Sequence, residues 1–324
     1  MQLKKANGNI TTVSMATVTA TATAMATATA MATELKVVIN PRFSSMEKWD
    51  VNITPKNKLL SLNLNEIWHY KDLMMMFVKR DVITIYKQTI LGPIWFLVQP
   101  VMTMLVFMFV FGNIANISTD GLPHSLFYLS GIILWNYFSE CFIQTSDTFL
   151  QNSEIFGKVY FPRFIIPMSK SISGLLKFLI QFLLFFLIYS YYFFVEKLVS
   201  PNIFVTIVPL IVLVVAGYGL GFGLIFSSLT SKYRDLKFLM QFGVQLLMFS
   251  TPIIYPLSSL KGNVLFIMKM NPFTHVFEAF KYAFLGKGVV SFYGLIYSFL
   301  FMLIVLFIGV IYFNKTEKNF MDTI

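Results

Sequence analysis

Apolar residues in this chain fall into long uninterrupted runs separated by short polar segments. Six runs read as membrane spans: Pro93–Phe111, Leu126–Ile143, Gly174–Phe194, Ile203–Leu229, Phe238–Tyr255 and Phe292–Phe313. About 20 apolar residues at 1.5 Å each cross the roughly 30 Å of hydrocarbon in a bilayer. Backbone groups in lipid must be satisfied within each segment, so continuous runs predict helices. A barrel would instead alternate apolar and polar residues over segments of about ten. The expected fold is an all-α integral membrane protein with six transmembrane helices.

Two other patterns differ from the spans. In Glu66–Gln88, Ile67, Tyr70, Met74, Phe77, Val78, Val82 and Ile85 share one helical face, and Lys71, Asp72, Lys79, Arg80 and Lys87 share the other. This predicts an amphipathic helix in the membrane interface, with a helix packed on other cytoplasmic parts as the alternative. Asp81 on the apolar face and Ile83 on the polar face break the pattern. Between the last two spans, Val264–Met270 and Phe273–Leu285 are apolar but too short to cross. Such runs read as interfacial or re-entrant, so two short external gate helices are expected over about 264–285, broken at Asn271-Pro272. An ordinary external loop is the other reading.

Composition agrees with the membrane class: 56% of the 324 residues are hydrophobic and 12% charged. A soluble domain carries about 25% charged residues. The net charge of +10 is read as flanking charge that orients the spans, so no nucleic-acid partner is expected. With both termini inside, 20 of the 25 lysines and arginines fall on the cytoplasmic side, and 113–124 carries none. Both termini are therefore expected in the cytoplasm, with membrane lipid surrounding the spans. Residues 1–34, with their Ala/Thr/Met repeat, read as a low-complexity disordered tail or a misassigned start. Residues 35–92 form a cytoplasmic segment containing the interface helix at about 66–88. The six-span domain covers 93–313 and a cytoplasmic tail 314–324.

Candidate chemistry is sparse. No phosphate-binding Gly-x-x-x-x-Gly-Lys-Ser/Thr occurs, so no P-loop ATP site is expected here. His69, His124 and His275 have no ligand spacing, and no metal site is expected. Cys141 is the only cysteine and reads as a packing residue. Glu140 and Asp147 lie near the end of the second span, within reach of Lys170 or Lys177. No catalytic cluster of Asp, Glu or His marks a membrane-embedded transferase.

The loop Gln151–Pro167, QNSEIFGKVYFPRFIIP, is basic and rich in aromatics. A short rigid body ending at Pro162, with Glu154, Phe156, Lys158 and Tyr160 as knob and charges, would suit docking to another protein. Anchoring of the aromatics at headgroup level is the alternative. After the fourth span comes SLTSKYRDLK at 228–237. The fifth closes on STPIIYP at 250–256, and NPFTHVFE follows at 271–278. In this order, over about residues 60–320, these segments resemble the permease subunits of type-2 ABC exporters, in the branch exporting O-antigen and teichoic-acid polysaccharides.

That resemblance implies two copies of this chain working with two copies of an ATP-binding subunit, which carries the ATP and Mg; no cofactor is expected in this chain. It implies a coupling helix at about 151–161 and a lipid-linked polysaccharide as the cargo. The coupling set is then Glu154, Phe156, Lys158, Tyr160, Pro162 and Arg163, with Tyr233, Arg234 and Asp235 in the next cytoplasmic loop. Aromatic rings suit a sliding glycan, so Tyr255, Asn271, Pro272, Phe273, Phe277 and Tyr282 are candidates for the outer path or gate. Gly217, Gly219, Gly221 and Gly223 allow close helix approach, either between copies or within one chain. Export of a drug or lipid by the same architecture is the alternative function.

Overall fold

The computed structural model describes Ala26 and residues 64–87, 92–156, 158–159 and 161–320. The expectation for the 1–34 tail therefore lies outside the described residues, apart from Ala26, as does that for Tyr160. Residues from 64 onward belong to one unit, Lys58–Ile324.

The expected interface helix is present but broken. Helices α1 (Leu64–His69) and α2 (Lys71–Tyr86) meet at Tyr70, whose backbone leaves the helical region at φ −94°, ψ 22°. Ile67, Phe77 and Val78 are buried, while Lys71, Asp72 and Lys79 are exposed. The buried stripe packs on protein, chiefly on α7 (Ile165–Tyr191). Asp81, out of place on the apolar face by pattern alone, ion-pairs with Lys170 of α7 at 2.9 Å.

Among the described residues, five helical segments are long and apolar enough to cross a membrane: Gly92–Ile114, His124–Ser146, Ile165–Glu196, Ile203–Thr230 and Phe292–Lys318. The first four contain α3 (Trp95–Phe107), α4 (His124–Ser146), α7 and α8 (Val208–Thr230), and the fifth is most of α12 (Phe292–Phe320). The remaining expected span differs. Helix α9 covers only Leu236–Phe249, 14 residues, or about 21 Å at 1.5 Å per residue. Pro252 and Pro256 cannot continue a helix, so the segment after Phe249 is irregular. It is also buried, from Thr251 to Ile254. Non-helical backbone at membrane depth is tolerated where protein covers and satisfies it. Here Asn271 Nδ2 donates to the Ser250 carbonyl at 2.8 Å, and Lys281 donates to that of Pro252.

Helix α8 is the centre of the bundle, packed between α4 and α12. Its glycines form two rows on different faces. A Cβ on Gly219 or Gly223 would meet Cys141 Cβ at 2.4 Å or Thr145 Cβ at 2.5 Å, both on α4. One on Gly217 or Gly221 would meet the Met302 sulfur at 2.5 Å or the Leu306 nitrogen at 2.9 Å, both on α12. The four glycines thus serve contacts within one chain, the close-approach packing that small residues permit.

The two short helices expected between the last spans are α10 (Gly262–Met270) and α11 (Pro272–Leu285). Asn271 separates them as N-cap of α11, its side-chain oxygen accepting the Phe273 N–H at 3.0 Å. Pro272 follows at the position where a missing N–H costs nothing. Helix α11 is buried on nearly every face, and Gly286 ends it in the left-handed region at φ 71°.

Candidate functional site

The loop after α4 folds as two four-residue helices, α5 (Thr148–Gln151) and α6 (Ser153–Phe156), parted at Asn152. Asn152 is buried, and its amide donates to the Thr148 carbonyl at 2.9 Å. The expected single helix over 151–161 is therefore a broken one that starts earlier.

Phe149, Phe156 and Phe161 of this loop are buried. Phe156 is only 3% exposed, with ring centroids 5.8 Å from Phe149 and 5.9 Å from Phe161. Phe161 in turn meets Phe77 of α2 at 5.8 Å, and Phe149 stacks on Phe313 of α12 at 4.8 Å. One buried cluster thereby joins α2, the α5–α6 loop, the start of α7 and the end of α12. The bulky knob expected at Phe156 is corrected: this ring is core, because a residue flanked by Phe149 and Phe161 gains more by burial than by exposure. Arg163 is buried as well. Its guanidinium lies 5.3 Å from the Phe156 ring and donates to the Glu317 carbonyl at 2.8 Å.

What this loop presents outward is Gln151, Glu154, Lys158 and Val159, while Pro162 is half-buried. Beside it lies the segment after α8, where Lys232, Tyr233, Arg234 and Asp235 are all exposed. Two contacts hold the segments together. Thr230 Oγ1 donates to the Ser146 carbonyl at 2.9 Å, and Lys237 pairs with Asp147 at 2.6 Å. Asp147 is buried and also accepts from the Gln151 amide at 3.1 Å. Of the pairings expected for the carboxylates, Glu140 does bond Lys177, but Asp147 takes Lys237. The result is an exposed platform with mixed charge, carried on a rigid aromatic base.

The expected path residues lie at the other end of α4 and α8, and two of the six are fully packed. Phe273 is 2% exposed and sits 4.6 Å from Tyr218 and 4.7 Å from Phe138. Phe277 is 1% exposed against Trp135. These two rings do not line an open path within the chain, since α11 is wedged among α4, α8 and α12. Tyr255 and Tyr282 are half-buried, with the Tyr255 hydroxyl donating to the Phe249 carbonyl at 2.9 Å. Asn271 and Pro272 are half-buried at the break between α10 and α11.

Sequence reasoning passed over Glu278 and Lys281. Both are buried, the ammonium 3.8 Å from the Phe127 ring centroid and 4.0 Å from the Glu278 carboxylate. Glu278 accepts the Val289 N–H at 3.1 Å. Together they tie α11 to the irregular segment after α9 and to the turn before α12. The available signal was an ionisable pair three residues apart inside an apolar run.

A bundle of apolar helices with buried polar ties at both ends and a rigid exposed platform at one defines a multi-pass membrane protein. The chain belongs to the ABC-2 type transporter family, whose model matches residues 73–285. Two relatives from Klebsiella pneumoniae, each described as O-antigen export system permease protein RfbA, are 24% identical over 251 residues. Each match covers 78% of this chain and 94% of the relative. A Myxococcus xanthus protein of the same description is 22% identical over 220 residues, or 67% of this chain and 82% of its own.

Proposed function

We propose that this chain is the permease subunit of an ATP-driven exporter that moves lipid-linked cell-surface polysaccharide outward across the cytoplasmic membrane. The reading rests on relatives described as O-antigen export permeases and matched along nearly their whole length. Two copies of the chain work with two copies of an ATP-binding subunit, which holds ATP and Mg. Both termini face the cytoplasm, so the α5–α6 loop and residues 232–235 meet that subunit.

The buried aromatic cluster supports this division of labour. Force applied to Glu154, Lys158 or Val159 reaches α12 through Phe149 and Phe313, and α2 through Phe161 and Phe77. A second copy covers apolar faces that one chain leaves open, such as Phe238, Phe242 and Phe249 of α9. Deleting the gene tests the reading. Surface polysaccharide should disappear while lipid-linked polymer accumulates inside, and both should revert on complementation. Unchanged surface polymer in the deletion strain would refute it.

A further inference from the structure

Two adjoining cavities of about 450 and 600 Å³ open between α2, α3, α4, α7 and the α5–α6 loop, whose Gln151, Asn152 and Ile155 line the first. They share Glu140, Gln144 and Lys177 as a common wall, so they form one double chamber. Their size is that of small-molecule sites, which run about 300–1,000 Å³.

The lower part holds three cations, Arg80, Lys170 and Lys177, against two carboxylates, Asp81 and Glu140. Arg80 donates to Asp81 at 2.8 and 3.0 Å, Lys170 pairs with the same carboxylate at 2.9 Å, and Lys177 bonds Glu140. These pairs hold the cations in place, and the chamber keeps an excess of one positive charge. Arginine and lysine so arranged suit a phosphoryl group, which accepts several charge-assisted hydrogen bonds.

The upper part is lined by neutral amides and rings. Asn136 donates to Gln181 at 3.4 Å. Gln99 and Gln144 make no side-chain hydrogen bond to any described residue. Phe96 and Trp95 stand beside them, and the Lys177 ammonium is 5.7 Å from the Phe96 ring centroid. Amides that both donate and accept, set beside aromatic faces, match the hydroxyls and C–H faces of a sugar. Trp95 of the lining is exposed, and Ile94, Leu176 and Leu179, each next in sequence to a lining residue, are exposed and apolar, as contact with acyl or prenyl chains requires.

We propose that this double chamber receives the phosphate-linked sugar head of a lipid-borne glycan before export. The inference rests on the export reading and deepens it. It places recognition inside one chain, on α2, α3, α4, α7 and the α5–α6 loop, away from α11 and its surroundings.

The test measures binding to the purified full chain in phosphatidylcholine nanodiscs by native mass spectrometry. The probes are polyprenyl-pyrophosphoryl-N-acetylglucosamine, polyprenyl phosphate without sugar, N-acetylglucosamine 1-phosphate without lipid, and phosphatidylglycerol. The sugar-bearing lipid should bind at least tenfold more tightly than each of the others. Gln144→Phe, which fills the shared wall, should weaken that binding at least tenfold. So should the joint change Glu140→Gln with Lys177→Gln, which removes both charges and strands neither. Gly243→Ala, at a position open on α9, should change nothing. A thermal unfolding midpoint qualifies each variant, and Gln144→Phe alone decides if the double change fails to fold. Equal binding by phosphatidylglycerol, no binding by the native chain, or full binding by folded Gln144→Phe overturns the proposal. None of these results touches the export reading, which the deletion phenotype tests separately.

Discussion

Arg163 donates to the backbone carbonyl of Glu317 at 2.8 Å, across 154 residues of sequence. The bond ties the loop between α4 and α7 to the end of α12, next to the stacked pair Phe149 and Phe313. Arg163→Ala removes this donor and the guanidinium over Phe156. The Glu317 acceptor is half-buried, so leaving it unpaired costs less than the roughly 1–3 kcal/mol of a fully buried one. The unfolding midpoint of the purified chain should fall, and Arg163→Lys should restore little, since an ammonium lacks the planar fork. A midpoint equal to the native value would show that the tie contributes nothing.

Phe156 and its charged neighbours should separate into two phenotypes. Phe156→Ala opens a cavity beside Phe149 and Phe161 and should cost about 3–5 kcal/mol. Its effect on partner binding would then reflect a damaged base. Reversing the exposed charges, Glu154→Lys with Lys158→Glu, should leave the chain as stable as native while weakening co-purification of the ATP-binding subunit. Pull-down and melting of both variants check the split.

Asp147 and Lys237 should show coupling in a double-mutant cycle. Asp147 is buried and Lys237 is partly exposed. Lys237→Gln leaves the carboxylate without its cation, while Asp147→Asn with Lys237→Gln removes both charges. Groups in direct contact typically couple by about 0.5–3 kcal/mol. Denaturant melts of the two singles and the double should show the double losing less than the sum. Strict additivity would mean that the pair does not hold the segment after α8 against α4.

The glycine rows of α8 predict a steric phenotype on two faces. Gly219→Leu should drive a side chain into Cys141 of α4, and Gly217→Leu should drive one into Met302 and Leu306 of α12. Overpacking of this kind costs about 1–3 kcal/mol or more. Both variants should melt early as isolated chains. If either affected only self-association, measured by cross-linking, its row would instead face a second copy.

Much of this architecture was legible in the residues themselves. Apolar runs of spanning length read directly as α3, α4, α7, α8 and α12, because a membrane helix needs little more than length and the absence of charge. The break at Asn271-Pro272 was equally plain, since a cap and a missing N–H act locally. The stop of α9 at Phe249 was written in Pro252 and Pro256, but the apolar run concealed it.

Tertiary structure alone decided the partners. Asp81 reads as a flaw in an amphipathic face until Lys170 is seen opposite it. Phe156 reads as a surface knob until Phe149 and Phe161 enclose it. Four alternating glycines allow close approach on any side, and only the positions of Cys141 and Met302 assign them to α4 and α12. The physical reason is common to all three. Periodicity and propensity depend on neighbours within a turn or two of chain, whereas ion pairs, ring contacts and helix approach depend on residues brought together from distant sequence.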